Sequence, residues 1–160
     1  MATAMGGTML LTSLFLPILR KAKNPRVINV SSGGGYTVKA QKDDLNSEQI
    51  QKYDGTLIYA FAKRNQIELT QKWAEILSGK EDHGKPVLMS SMHPGWADTE
   101  GLQEAMTDFH EKNKGSLRSA AEGADTITFL ASTEKEIPSG KFWFDRSTVR
   151  YREDSSLTDS

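Results

Sequence analysis

Helix-like and strand-like segments alternate along this chain, and this alternation constrains the fold more than any other feature. Apolar residues recur at helical spacing in long segments, and β-branched or aromatic runs bounded by glycine or proline follow each of them. Such alternation predicts an α/β fold in which right-handed helical crossovers join parallel strands. We therefore expect part of a Rossmann-like, doubly wound sheet, with helices at about 7–23, 56–78 and 116–132 and three parallel strands at about 26–31, 86–92 and 141–145.

The remaining segments and the composition fit one globular domain. A polar stretch at 36–55 predicts a long surface loop, and a short helix is expected around 102–110. The chain has 160 residues, a net charge of -1 and no basic stripe, so we expect no nucleic-acid partner. It has no cysteine, which excludes disulfides and thiolate metal ligands. We expect a single domain over 1–149 and a polar tail over 150–160.

An apolar run at 9–19 raises the question of a leader or a membrane segment. No basic residue precedes it, no small-residue cleavage site closes it, and a basic cluster follows it. A transmembrane helix needs about 20 apolar residues, so this run is too short to span a bilayer. We interpret it as a buried helix and expect no transmembrane segment and a cytoplasmic location.

Polar residues follow each predicted strand. Ser31-Ser32 follows the first strand, His93-Pro94-Gly95 the second, and Asp145-Arg146 stands at the end of the third. Ligands of parallel α/β sheets bind beyond the carboxyl ends of the strands, so these groups are expected at one functional edge.

Tyr59 and Lys63 lie on the helix between the first two strands. They are four residues apart, so they share one helical face. A phenol beside an ammonium is a proton donor whose pKa the positive charge lowers. With a strand-end serine holding a carbonyl oxygen and a hydride source opposite, this pair is typical of carbonyl and alcohol redox chemistry.

Three short segments occur in a fixed order and together extend along nearly the whole chain. They are Val27-Ile28-Asn29-Val30-Ser31-Ser32, Tyr59-Ala60-Phe61-Ala62-Lys63 and Pro94-Gly95-Trp96-Ala97-Asp98-Thr99. Together they resemble the second half of a short-chain dehydrogenase/reductase (SDR). The resemblance implies an NAD(P)-dependent oxidoreductase that interconverts a carbonyl and an alcohol on a small apolar substrate. NAD or NADP would be the cofactor.

The resemblance also implies roles for individual residues. Tyr59 would exchange a proton with the substrate oxygen, Lys63 would assist it and bind the nicotinamide ribose, and Ser32 would position that oxygen. Ser32 is preferred to Ser31 because the family's serine is usually the second of the pair, but spacing leaves both open. Pro94, Gly95 and Thr99 would line the nicotinamide side, and the substrate pocket would use Tyr36, Trp96, Met106 and Phe109.

Two family features have no counterpart in the sequence. The glycine-rich phosphate-binding turn is missing, and Ala4 stands about where the catalytic asparagine would align. We therefore expect a truncated fold that lacks its N-terminal half. The strand at 26–31 would then expose an open apolar edge, which is a template for another chain.

Three other interpretations were weighed. A catalytically inactive half-domain could act as an interaction module, for example as a homodimer through the helices at 7–23 and 56–78. A serine hydrolase would need a G-x-S-x-G elbow, which the sequence does not contain. His83, His93 and His110 lack metal-ligand spacing, so we expect no metal site and regard them as surface or loop histidines.

Overall fold

The computed structural model describes residues 2–78 and 84–150. A π-helical turn, Ala2–Gly7, leads into α1 (Thr8–Leu19), and β1 (Arg26–Val30) is followed by a 3₁₀ turn, Gly33–Tyr36. Next come α2 (Gly55–Ile76), β2 (Leu88–Met92), α3 (Glu100–Ala105) and α4 (Thr107–Asn113). The described part ends with α5 (Ala120–Ser132), β3 (Lys141–Phe144) and β4 (Ser147–Thr148).

The strands form one sheet in the order β1-β2-β3-β4. β1 pairs with β2 in parallel, β2 pairs with β3 in parallel, and β4 returns antiparallel to β3. The predicted α/β class, its parallel strands and its partial Rossmann-like character are confirmed.

Several predicted boundaries shift. The third strand stops at Phe144 because Asp145 and Arg146, with φ of 47° and 58°, make a tight turn into β4, which was not predicted. The expected short helix is two helices, α3 and α4. α5 begins at Ala120 rather than near residue 116, because Ser119 and Glu122 form a capping box. Residues 151–160, most of the predicted tail, lie outside the described residues.

Helices cover both faces of the sheet. On one face, Leu16 of α1, Ala74 of α2 and Leu77, the residue that caps α2, pack with Val27 and Met89 of the strands. On the other face, α5 contributes Leu130, which is fully buried with Met92 and Trp143. Burying apolar side chains on both faces is what drives a doubly wound sheet together.

The predicted surface loop is tied to α2. The side-chain amide of Asn65 both accepts from the Gln41 backbone N–H and donates to the Gln41 carbonyl, each at 3.0 Å. Asp54 begins α2 by accepting a hydrogen bond from the Leu57 N–H at 3.0 Å. The loop therefore returns the chain to the sheet with α2 in a defined position.

β1 forms one edge of the described sheet, as expected. α1 beside it also presents apolar side chains to the outside, so the interpretation of 9–19 as a buried helix is wrong for most of its residues. Leu10, Leu11, Leu14, Phe15 and Ile18 are between 54% and 64% exposed. Within the described ranges, no helix has the length and apolar character needed to cross a membrane.

Candidate active site

The first turns of α2 carry Tyr59 and Lys63 to the carboxyl end of β1. The Lys63 Nζ donates to the Val30 carbonyl at 3.0 Å, and it lies 5.6 Å from the centroid of the Tyr59 ring. Partial burial lowers the pKa of Lys63. The Tyr59 side chain is 51% exposed, so its phenol is accessible at this edge. The lysine ammonium is therefore close to both the tyrosine ring and the end of the strand.

The two candidate serines have different environments. The Ser31 hydroxyl is buried and donates to the Lys63 carbonyl at 2.7 Å, and the Ser31 N–H continues the pairing with Met92 of β2. The Ser32 hydroxyl is partly exposed and accepts from the Gly34 N–H at 3.2 Å. Ser31 thus connects β1 to α2, whereas the Ser32 hydroxyl retains its proton for another acceptor.

The glycine run after Ser32 lets the chain lie directly on α2. A Cβ at Gly34 would be 3.7 Å from the Ser32 Oγ and 3.9 Å from Cα and Cβ of Ala60, the neighbour of Tyr59. A Cβ at Gly35 would be 3.0 Å from Ile67 Cδ1. This close approach keeps Ser32 next to the helical turn that carries Tyr59.

The loop after β2 is held in place by His93. The His93 Nδ1 accepts from the Gly95 N–H at 3.3 Å, and the ring stacks on Phe144 with centroids 4.1 Å apart. Burial lowers the pKa of His93, which favours the neutral ring that can accept this bond. Gly95 has φ of +75°, a conformation that favours glycine. Thr99 ends the loop by capping α3 at the Leu102 N–H.

The residues predicted for the substrate pocket fall into two groups. The Trp96 and Phe109 rings lie 4.5 Å apart, and Met106, at the start of α4, is 37% exposed. Tyr36 instead packs against His93 and Phe142, with ring centroids 5.6 Å and 5.5 Å away. Burial also raises the pKa of the Tyr36 phenol. The structure therefore gives Tyr36 aromatic partners at the strand ends, separate from the Trp96–Phe109 contact.

The expectation of surface or loop histidines is wrong for His110, which is buried within α4, whereas His93 lies in the loop after β2 as expected but is buried there. His93 and His110 are only 8% and 4% exposed. The His110 Nε2 lies 2.9 Å from the Asp98 carboxylate, which also accepts from Gln103. The hydrogen bonds from Gln103 and His110 hold the pKa of Asp98 below its usual range. His83 lies outside the described residues.

Sequence reasoning also missed an ion pair at the edge of the site. The Arg118 guanidinium binds both carboxylate oxygens of Asp145, at 2.5 Å and 2.8 Å, and lies 4.6 Å from the centroid of Phe144. No sequence spacing signals a pair 27 residues apart. In the part of the chain that the structure describes, no group of three or more metal-ligating side chains is found.

Comparison with curated proteins gives a close relative, although no family model matches the chain. The chain is 46% identical over 146 residues to human dehydrogenase/reductase SDR family member 12. That alignment covers 89% of this chain but 43% of the human protein. The chain thus spans less than half the length of this curated relative.

Solved structures show the same fold. A short chain dehydrogenase from Salmonella enterica serovar Typhi matches with a TM-score of 0.62 and 17% identity, over 88% of this chain and 49% of that one. ElxO with NADP bound matches with a TM-score of 0.60 and 19% identity, over 87% of this chain and 52% of that one. The sequence identity to the human protein supports a partial short-chain dehydrogenase/reductase, and these solved structures, which are less than 25% identical, show the fold.

Proposed function

We propose that this chain carries the proton-transfer side of an NAD(P)-dependent oxidoreductase that interconverts a carbonyl and an alcohol. The observation that supports this most directly is the position of the Lys63 ammonium. It lies 3.0 Å from the Val30 carbonyl and 5.6 Å from the Tyr59 ring, so one cation connects the tyrosine helix to the serine strand.

A nicotinamide dinucleotide fits the residues around this centre. The Lys63 ammonium has three N–H donors, and the Val30 carbonyl engages one of them, which leaves donors for a ribose hydroxyl. Gly95 has φ of +75°, which lets the loop after β2 turn at this position. We propose Lys63 for the ribose and Pro94, Gly95 and Thr99 for the nicotinamide side, with NAD or NADP as the cofactor. When bound, the nicotinamide supplies or accepts the hydride.

The chain's own residues would move the proton and hold the oxygen. In the reducing direction, the Tyr59 phenol gives its proton to the carbonyl oxygen as the hydride reaches the carbonyl carbon. The Ser32 hydroxyl donates a hydrogen bond to the same oxygen and stabilises the negative charge that develops there. The Lys63 ammonium stabilises the phenolate that remains on Tyr59. Oxidation of the alcohol runs through the same groups in reverse.

Ser32 is proposed as the catalytic serine rather than Ser31. Ser31 is 3% exposed, and its hydroxyl donates a hydrogen bond to the Lys63 carbonyl. A substrate oxygen would therefore have to displace a hydrogen bond within the core. The Ser32 hydroxyl accepts from Gly34 and is partly exposed, so its own proton is available. An apolar substrate is proposed because Trp96, Phe109 and Met106 lie on the loop and helices beyond Gly95.

Binding of the dinucleotide tests this function first. NADPH and NADH at millimolar concentration are each expected to raise the melting temperature of the full chain, because a ligand that binds the folded state stabilises it. Tyr59→Phe should retain that shift but lose turnover of an aromatic aldehyde by at least about a hundredfold, the lower end for general acid catalysis. No melting shift with either dinucleotide would contradict the proposed function.

A second function, as an interaction module, is supported by the apolar face of α1. Leu14, Phe15 and Ile18 are 64%, 54% and 63% exposed. A groove of about 210 Å³ also lies between α1 and α2, and Leu16 and Trp73 are among the residues that line it. Exposed apolar surface of this kind marks protein interaction sites. We propose a homodimer through α1 and α2.

Light scattering after size-exclusion chromatography tests this second function. Leu14→Glu should convert a dimer to a monomer, because it places a charge in the apolar face. Leu45→Glu is the matched control, since Leu45 is similarly exposed, at 48%, but lies in the loop before α2. A wild-type chain that elutes as a monomer at high concentration would count against the module.

A further inference from the structure

Residues 98–117 form a segment whose two ends are joined by a short backbone bridge. The Arg118 N–H donates to the Trp96 carbonyl at 2.9 Å, and the Asp98 N–H donates to the Arg118 carbonyl at 2.8 Å. These two bonds pair Ala97 with Arg118 in a short parallel bridge. The bridge closes the segment that contains α3 and α4 and that carries Met106 and Phe109.

The Arg118 side chain holds this bridge against the sheet. Its guanidinium lies on the Phe144 ring. The His93 ring also stacks on Phe144, at an interplanar angle of 5°. The planar guanidinium also binds Asp145 through two parallel hydrogen bonds. Asp145 belongs to the β3–β4 turn, so the arginine connects the loop to the rigid strand end.

Arg118 also explains why residue 95 is a glycine. A Cβ at Gly95 would lie 2.9 Å from the Arg118 Nε and 3.1 Å from its Cδ and Cζ. The backbone of the loop therefore lies flat against the guanidinium stem. The same glycine N–H binds the His93 Nδ1, so both ends of this contact are tied to the sheet.

We propose that Arg118 is a positioning residue for the dinucleotide site, which fixes the backbone of Gly95 to Asp98 through its contacts with Asp145, Phe144 and the 97–118 bridge. This role rests on the proposed function, since that loop is the one assigned to the nicotinamide. Arg118 acts through the loop and does not itself contact the reacting atoms. An isolated exposed ion pair contributes little to stability. Arg118 differs from such a pair because it makes three contacts at one place: two hydrogen bonds to Asp145, a ring contact with Phe144 and a backbone bridge to Ala97.

Hydrogen exchange of the full chain tests the positioning role without any ligand. Arg118→Lys keeps the charge but loses the planar fork and the ring contact. It should speed exchange of the Asp98 and Arg118 amides by about tenfold or more, because local opening of the bridge becomes easier. Amides of β2 and α5 should be unaffected. Asp145→Asn, which tolerates the positive φ of that turn, should produce the same effect from the other partner.

The chain supplies a matched control. Arg146 also binds a carboxylate, that of Asp125, and lies 5.7 Å from the Phe129 ring, and both of these partners belong to α5 rather than to the loop at 94–99. Arg146→Lys should therefore leave exchange at Asp98 and Arg118 unchanged. Equal effects of the two lysine variants, or no effect of Arg118→Lys, would overturn the proposal.

Dinucleotide affinity separates this inference from the proposed function. If the wild-type chain binds NADPH, Arg118→Lys should weaken binding by about three- to tenfold and Arg146→Lys should not, because a displaced loop no longer fits the ligand. A wild-type chain that binds neither NADPH nor NADH refutes the proposed function. The exchange measurements then decide alone whether Arg118 fixes the loop.

Discussion

Replacing the two adjacent serines one at a time gives the sharpest test of the active-site assignment. The two residues are consecutive, yet Ser31 donates to α2 at 2.7 Å while Ser32 accepts from the Gly34 N–H at 3.2 Å. We expect Ser31→Ala and Ser32→Ala to have similar effects on stability and very different effects on turnover.

The structure sets the size of both stability effects. Ser31→Ala removes one buried hydrogen bond, worth about 0.5–1.5 kcal/mol. The Lys63 carbonyl lies inside an α-helix, where such a carbonyl also accepts from the N–H four residues later. It therefore keeps a partner when the serine hydroxyl is removed, and no further cost is expected. Ser32→Ala removes a long, partly exposed turn bond and should cost about 0.5–1 kcal/mol. Urea unfolding measured for both variants and the wild type checks these values.

The effects on turnover should diverge. Ser32→Ala removes a donor to the developing oxyanion and should reduce turnover by about 100- to 1000-fold. Ser31→Ala should reduce it by less than about threefold, since its hydroxyl faces the core. NADPH consumption with an aromatic aldehyde, followed by absorbance, measures both. A larger loss of turnover in Ser31→Ala than in Ser32→Ala would refute the reasoning.

Two further predictions concern the lysine and the glycine run. Burial lowers the pKa of Lys63 in the folded chain below its ordinary 10.5, so the unfolded chain binds this proton more tightly. The stability that Lys63 contributes therefore rises with pH between the folded-state pKa and the unfolded-state pKa. Lys63→Met should therefore flatten the increase in unfolding free energy, relative to wild type, as the pH rises toward 10.5; equal pH slopes in urea melts would contradict this. Gly35→Ala places a Cβ 3.0 Å from Ile67 Cδ1 and should destabilise the chain by about 1–3 kcal/mol, which a thermal melt measures. Gly101→Ala, with nothing within 4 Å, is the control and should be neutral or stabilising; a similar loss in both variants would show that contact with α2 is not the cause.

The strands, α2 and α5 could be predicted because each carries apolar residues at the spacing of its own element. The start of α5 was placed too early, although Ser119 and Glu122 form the Ser-x-x-Glu pattern of a capping box that could have located it. β4 has two residues and no pattern, and it exists because the preceding turn folds it onto β3.

Part of the candidate site could not be predicted, because long-range contacts determine it. His110 is buried against Asp98, and Arg118 reaches Asp145 only after α5 has packed on the sheet. Tyr59, Lys63 and the strand-end serines could be located from helical spacing and strand ends alone. Their chemical roles stay a prediction until the serine and tyrosine variants are measured.

The pairing of β1 with β2 decides which peptide groups face away from the sheet. The Pro25 carbonyl and the Ser31 N–H form hydrogen bonds with β2. Alternate residues of a parallel strand face its partner, so Arg26, Ile28 and Val30 direct their backbone N–H and C=O groups away from β2. One of those outward acceptors, the Val30 carbonyl, is already occupied by the ammonium of Lys63. A strand added along this edge must therefore either end before Val30 or compete with the lysine for that oxygen. Strand addition and the proton transfer proposed for Tyr59 would consequently be linked through a single carbonyl group.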